Sequence, residues 1–260
     1  MLKILILKTL KYLFFFLVCL AVALVFTVPM QNVQPYIELP TGIEVSGVDG
    51  TIRSGSAAQV VIDDFPLNAV EYRYMPSCIP LLKICYRVEY NRGEMEVAYD
   101  LLNSDTEVHR TRIDYDTAEL AGHFLALPAK PSGRTQVLID EVSLIDGKPQ
   151  ILTGQLLWKN LGLNDQGIKI DIGDFQMDFT GGPGGYDFKL KDLDASLQVD
   201  GNGKVKPNGQ YTVDIRITAK SSIDPQVKYV LGIIAKNTGH NQYRVRQNGK
   251  LPQHLMRRMF

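Results

Sequence analysis

Apolar and polar residues alternate along most of the chain beyond Pro40. In the stretch LKICYRVEY, for example, Leu82, Ile84, Tyr86 and Val88 share one face. A period of two residues is typical of a β-strand with one buried and one solvated face. The same alternation recurs in EMEVAYDL, IKIDIG, YDFKLKDL and YTVDIRITA. The body of the chain is therefore predicted to be β-sheet.

Short turn signals separate these stretches and predict that consecutive strands pair antiparallel. Asn-Gly and Asp-Gly pairs supply the positive φ angles that tight hairpins need. Such signals occur at Asn91–Gly93, Asp146–Gly147, Gly181–Gly185, Asp200–Gly203 and Asn208–Gly209. About a dozen strands exceed what an open sheet usually holds without curling. We therefore predict a large, curled, mostly antiparallel sheet, for which a half-pipe, a barrel-like form and a sandwich all fit the pattern.

The segment GTIRSGS begins like a phosphate-binding loop. Gly50 and Gly55 have the spacing that such a loop requires, but Ser56 stands where its lysine would be. The glycines are therefore interpreted as structural, marking the bend between two short strands, GIEVSGV and AAQVVID.

One short helix is predicted near the C-terminus, in the stretch DPQVKYVLGIIAKNTG. Asp224 is the expected cap, Pro225 occupies the first helical position, and Asn237 and Gly239 offer a stop. The stretch NQYRVRQNGKLP that follows is predicted to be a last strand.

The N-terminal segment is predicted to be a transmembrane anchor. An apolar run from Tyr12 to Val28 follows three lysines, and Pro29 closes it. The run is about long enough to span a bilayer as a helix, and the preceding positive charge places the N-terminus in the cytoplasm. A cleaved signal peptide is the alternative, because Ala21-Val22-Ala23 resembles a cleavage site. A lipoprotein signal is excluded, because a valine rather than a small residue precedes Cys19.

These features predict five segments along the chain. They are a basic cytoplasmic N-terminus (1–11), a transmembrane anchor (12–29), a linker (30–40), a periplasmic β domain (41–252) and a C-terminal tail (253–260). Cys78 and Cys85 would lie in the exported part, which in a bacterium is oxidising. Pro80 lies between them and permits a turn, so a disulfide and two unpaired thiols both remain open.

Composition and motifs offer no catalytic chemistry. The 28 lysines and arginines balance 28 aspartates and glutamates, so the charge gives no reason to expect a nucleic-acid partner. The four histidines are scattered, without the spacing of a metal site or a catalytic motif. We therefore expect no enzyme, no cofactor, and no catalytic, cofactor-binding or metal-binding residues. Trp158, the single tryptophan, is expected to be a packing anchor.

Three stretches, in this order, resemble the type II secretion system protein N family: LPTGIEVSGVDGTIRSGSAAQV, LNAVEYRYMPSCIPLL and LTGQLLWKNLGL. The residues that carry the resemblance are Gly47, Gly50, Thr51, Gly55, Pro76, Leu81, Leu82, Gly154 and Trp158. The chain differs from the family pattern at Arg53, where members usually carry tryptophan, and at Tyr72 or Tyr74, where a second tryptophan is expected. The Gly-Thr segment and the β-rich character also resemble the wider AsmA-like envelope proteins.

The resemblance implies an accessory component of an apparatus that exports folded proteins from the periplasm. It implies a single-pass protein of the bacterial inner membrane, and its partners would be other inner-membrane secretion proteins and membrane lipid. The alternative function is the binding or movement of lipid along an apolar groove of the sheet. A third hypothesis, an anchored enzyme, would require carboxylates or histidines that converge from different strands.

Overall fold

A computed structural model describes residues 2–36, 42–62, 65–124, 130–145, 148–165, 168–220 and 225–252. Within them the chain is mainly β, with fourteen strands and few helices. The strands are β1 Ile43–Gly50, β2 Ser54–Ile62, β3 Phe65–Met75, β4 Lys83–Tyr90, β5 Gly93–Asp100, β6 Thr106–Asp116, β7 Lys130–Ile145, β8 Lys148–Asp165, β9 Ile168–Gly182, β10 Gly185–Ala195, β11 Leu197–Val205, β12 Gln210–Ala219, β13 Lys236–Gly239 and β14 Gln242–Lys250. The helices are α1 Leu2–Thr27, α2 Met30–Val33, α3 Thr117–Phe124 and α4 Pro225–Ile234, with 3-10 helices at Gln34–Tyr36 and Pro76–Leu81.

All fourteen strands belong to one antiparallel sheet. Their order follows the chain from β1 to β12 and then runs β14, β13. The sheet is unclosed, since the edge strands β1 and β13 do not pair with each other within the described residues. The predicted antiparallel sheet is therefore confirmed.

The chain divides into two compact units. The first consists of Met1–Ile79 with Ile84–Asn91, and the second of Pro80–Lys83 with Arg92–Phe260. The first unit contains α1, α2, β1 to β3 and most of β4, and the second contains the remaining strands with α3 and α4.

In the first unit, β1 and β2 form a hairpin whose register ends at the pair Gly50 and Gly55. Ala57 in β2 and Val70 in β3 are register partners, and both are buried. Helix α1 comprises 26 residues. Within the part of the chain that the structure describes, no helix qualifies by length and apolarity as a membrane span.

In the second unit, apolar residues of β9 to β12 and β14 form one cluster that α4 covers in part. Helix α4 contributes Val227 and Leu231, which are 5% and 3% exposed. The two are four residues apart and so lie on the same helix face. The predicted C-terminal helix is thus confirmed, although it ends at Ile234 rather than at Asn237. The reason is that Lys236–Gly239 pairs with β14 and forms a short edge strand.

The predicted turn at Asp200–Gly203 is wrong, because these residues lie inside β11. A Cβ atom at Gly203 would overlap the ring of Phe188, its register partner in β10. A Cβ atom at Gly201 would lie 2.9 Å from the side chain of Ile215 in β12. The glycines therefore make room for large neighbouring side chains instead of turning the chain.

The sequence analysis does not predict helix α3, which follows directly after β6. Strand β6 ends at Asp116, whose Oδ1 accepts a hydrogen bond from the Ala118 N–H at 2.8 Å. An aspartate cap followed three residues later by Glu119 is a helix start signal. The other predicted turns that the structure describes lie where consecutive strands connect, although Gly93, Gly181, Gly182 and Gly185 lie at the ends of strands β5, β9 and β10. Asp146–Gly147, Asp224 and the tail 253–260 lie outside the described residues.

Candidate functional site

The first candidate site is the turn of the β1–β2 hairpin, here called the Gly-Thr turn (residues 50–55). The Thr51 N–H donates to the Ser54 carbonyl at 2.9 Å and closes the turn. Gly50 has a φ of 99°, in the left-handed region that favours glycine. A Cβ atom at Gly50 would overlap the Cα of Gly55 across the hairpin. The two family-motif glycines thus permit a close approach of the two strands that a side chain would prevent.

Three tyrosines, here called the tyrosine cluster (Tyr72, Tyr74 and Tyr86), pack beside this turn. The Tyr72 hydroxyl donates to the Thr51 carbonyl at 2.8 Å, and the Tyr86 hydroxyl donates to the Ile52 carbonyl at 3.0 Å. The Tyr86 ring lies edge-on to the other two, with centroid distances of 6.1 Å to Tyr72 and 5.7 Å to Tyr74. Edge-on aromatic pairs add to the stability that burial provides.

The hydroxyl groups of Tyr72 and Tyr86 are hydrogen-bond donors at neutral pH. Burial raises the pKa of Tyr72 and Tyr86, and the Asp49 carboxylate adds to the rise for Tyr72. The resemblance leads one to expect a tryptophan at Tyr72 or Tyr74, and of these two tyrosines Tyr72 binds the turn through its hydroxyl. Arg53 lies in the turn itself, and its side chain is exposed.

The remaining motif residues of this region lie in and directly after the Pro76–Leu81 helix. Leu81 and Leu82 are 67% and 50% exposed. Cys78 in this helix and Cys85 in β4 form a disulfide, with their Cα atoms 6.0 Å apart. Cys85 is buried in β4, so the disulfide fixes the Cys78 part of this helix to that strand.

Replacing Cys78 and Cys85 together by serine is expected to lower the free energy of unfolding of the first unit by about 2.5 kcal/mol, from the loop entropy that a bond of this short span removes from the unfolded chain. The sequence separation is 7 residues. Hydrogen exchange of the amides of β3 and β4 measures the change. Cys19→Ser, at the exposed free cysteine, is the control. Alkylation of both Cys78 and Cys85 without prior reduction, in protein from native membranes, would contradict a disulfide in the cell.

The second candidate site is a groove in the second unit, here called the apolar groove. It has a volume of about 350 Å³, and Trp158 in β8 is one of the residues that line it. All of its lining residues are apolar: Trp158, Leu161, Ile170, Ile172, Phe175, Leu190, Leu197, Val199, Ile215, Ile217, Val227, Leu231 and Val245. Trp158 packs against the buried cluster and also lines the open space. It is therefore both a packing residue, as predicted, and part of a surface that can receive an apolar ligand.

Gly154 lies four residues before Trp158 on the same strand, and it permits a close approach of β7, β8 and β9. It is buried, and a Cβ atom there would overlap the Leu138 carbonyl and the Phe179 ring. Phe179 is its register partner in β9. This motif glycine thus has a packing role, like Gly201 and Gly203.

Charged groups form pairs in the described part of the chain, and no group of three or more His, Cys, Asp or Glu side chains there is placed to hold a metal ion. Glu107 contacts the Lys83 ammonium at 2.6 Å and the His109 ring at 3.3 Å. The hydrogen bond from Lys83 holds the pKa of Glu107 below its usual range. Arg244 binds both oxygens of Asp214 in the second unit. None of these ion pairs involves a residue of the Gly-Thr turn, the tyrosine cluster or the apolar groove.

The chain matches a known protein family. The model of the family described as "Type II secretion system (T2SS), protein N" matches residues 41–246. This range contains the Gly-Thr turn, the tyrosine cluster, the disulfide and the apolar groove. No curated protein and no solved structure matches the chain significantly.

Proposed function

The chain belongs to the type II secretion system protein N family, and from this premise we propose that it is an accessory component of a type II protein secretion apparatus that acts by protein–protein interaction and not by catalysis. The observation that carries the proposal is the family match, because it extends over both candidate sites and most of the β structure. The motif residues in these sites have packing and backbone roles, which supports a structural rather than a chemical task.

The proposed location is the bacterial inner membrane, with the N-terminus in the cytoplasm and the β domain, 41–252, in the periplasm. Residues 12–28 carry no charged side chain, and Lys3, Lys8 and Lys11 precede them, which supports a single anchor in this orientation. The linker is 30–40 and the tail 253–260. The disulfide supports an oxidising compartment.

The proposed partners are other inner-membrane components of the secretion machine, together with membrane lipid. The exposed family-motif residues Leu81 and Leu82 support this, because exposed neighbouring leucines are typical of a surface that a partner covers.

The test is a cross-linked purification of the tagged, full-length protein from its own membranes, with proteins and lipids identified by mass spectrometry. We expect secretion-machine components in a defined ratio, and we expect Leu81→Ser/Leu82→Ser to reduce their recovery while the protein stays in the membrane. Leu193→Ser, at a 52% exposed position in β10, is the matched control. Recovery of no secretion component from the unaltered protein would contradict the proposal.

A second candidate function is lipid binding, which the apolar groove favours. Ligand sites are concave and mostly apolar, with volumes of about 300–1,000 Å³, and the groove has this character. An acyl chain is the ligand that an entirely apolar lining selects, because it needs no hydrogen-bonding partner.

Leu190→Trp is expected to lower the amount of co-purified lipid about tenfold, equivalent to about 1.4 kcal/mol of binding free energy. Leu190 lines the groove from β10, and an indole there would occupy the space of the ligand. Leu193→Trp, on the exposed side of the same strand, is the control. Mass spectrometry of lipid extracted from the purified proteins measures the ratio, and equal lipid in the two variants would reject the second candidate.

A further inference from the structure

The C-terminal end of α1 packs against the Gly-Thr turn within the first unit. The Phe26 ring lies 5.4 Å from the Tyr74 ring, centroid to centroid. Pro29, two residues beyond the helix, forms a β-bridge with Thr51. The end of the proposed anchor is therefore fixed to the hairpin by a ring contact and a backbone contact.

A concavity of about 790 Å³ opens at this junction, here called the helix-end pocket. Phe26, Tyr74, Pro76 and Ile79 give it an apolar and aromatic wall, and Arg53 and Arg73 lie on its border. Ile79 is 54% exposed, in the helix that the disulfide fixes. A large apolar side chain held in an exposed position is typical of a surface that meets a partner or a membrane.

The two arginines of the pocket carry charge that no residue described by the structure neutralises in an ion pair. Both side chains are exposed, and neither is in an ion pair with a residue that the structure describes. They are close in the fold, because Ser54, next to Arg53, is the register partner of Arg73. Guanidinium groups bind phosphate oxygens with two parallel hydrogen bonds, so the border of the pocket is suited to a phosphate group.

We infer that the helix-end pocket binds a phospholipid of the membrane that holds α1, with Arg53 and Arg73 on the lipid phosphate and Ile79 against the start of the acyl chains. The inference rests on the proposed anchoring by α1, which brings the pocket to the membrane surface. Tyrosines beside arginines and apolar side chains are the composition of a membrane interface. The contact would hold the Gly-Thr turn at the bilayer and fix the direction in which the β domain leaves it.

The test uses the full-length protein in vesicles of phosphatidylethanolamine and phosphatidylglycerol in which part of the lipid carries brominated acyl chains. Ile79→Trp places a fluorophore in the pocket, and Leu193→Trp places one at a position of equal exposure in the second unit. The unaltered protein gives the signal of Trp158 for subtraction. We expect bromine to quench the Ile79→Trp signal and to leave the Leu193→Trp signal unchanged.

Adding Arg53→Gln/Arg73→Gln to Ile79→Trp is expected to reduce the ratio of lipid-bound to lipid-free pocket about thirtyfold. The reason is that each basic residue near an anionic membrane surface strengthens binding about fivefold. Equal quenching at positions 79 and 193, in protein that stays with the vesicles after alkaline extraction, would overturn the inference and leave the anchor intact. If the Ile79→Trp fluorescence shows shielding from water but is not quenched by bromine, the pocket binds a protein partner instead of a phospholipid, and the inference is overturned. Release of the protein by alkaline extraction would overturn both the anchor and the inference.

Discussion

Gly50→Ala is expected to destabilise the β1–β2 hairpin by about 4 kcal/mol, the sum of a left-handed backbone cost and a steric cost. The φ of 99° is strained for any residue with a Cβ atom. The new methyl group would overlap the Gly55 Cα and the Ser54 carbonyl of the same turn. Both obstacles are backbone atoms, so no side-chain rotation relieves them.

The consequence reaches beyond the turn itself. The Thr51 and Ile52 carbonyls are the acceptors for the Tyr72 and Tyr86 hydroxyls, so a displaced turn leaves two part-buried phenols without their partners. An unsatisfied buried donor costs about 1–3 kcal/mol. We therefore expect the tyrosine cluster to loosen together with the turn, as one cooperative unit.

Hydrogen exchange of the full-length protein measures this change. A loss of about 4 kcal/mol corresponds to about a thousandfold faster exchange of the amides of β1 and β2. Gly184→Ala is the matched control, because no atom lies within 4 Å of its Cβ position and its φ is not left-handed. Unchanged exchange in Gly50→Ala would show that the turn does not need the glycine.

The strand pattern could be predicted from the sequence because half-buried strands alternate residue by residue. The stretch YTVDIRITA, for example, became β12 with Ile217 and Ala219 buried. The pattern at Asp200–Gly203 misled because glycines next to polar residues occur both in turns and opposite large side chains. Whether these glycines form a turn or lie opposite large side chains depends on Phe188 and Ile215. These two residues belong to the neighbouring strands β10 and β12, so the sequence around Asp200–Gly203 does not contain them.

The candidate sites were predictable in part. The order of short motifs pointed to the Gly-Thr segment and to Trp158, and both lie in these sites. The hydrogen bonds from Tyr72 and Tyr86 to the turn were not predictable, because the donors are 21 and 34 residues from their acceptors. The departure from tryptophan at Tyr72 or Tyr74 was the available signal in the sequence, since a tyrosine adds a hydroxyl that needs a partner when it is buried.

Leu231→Ala is expected to lower the free energy of unfolding of the second unit by about 3 kcal/mol, the usual range for a buried leucine being about 2–5 kcal/mol. Leu231 is 3% exposed and belongs, with Val227, to the α4 side chains in the buried cluster. The sheet has its apolar groove on the same side, so few atoms are available to fill the space that the side chain leaves. The loss should therefore include most of the cavity cost.

Trp158 reports this change directly, because it is the single tryptophan and lines the same groove. Urea unfolding of the full-length protein in detergent, followed by its fluorescence, gives the difference in stability. Leu193→Ala removes the same atoms from an exposed position and should stay within about 0.5 kcal/mol of the parent. If the two variants unfold at the same urea concentration, α4 does not stabilise the sheet.

Leu231→Ala also distinguishes between the two candidate functions, secretion-partner binding and lipid binding. If the groove binds lipid, loosening α4 should change the amount of lipid that co-purifies, because Val227 and Leu231 form part of its wall. If the protein acts through its exposed Leu81 and Leu82, recovery of secretion components should be unchanged at temperatures where the variant remains folded. A variant that loses partners and keeps its lipid would place the interaction surface at α4 and contradict the assignment to the leucine pair.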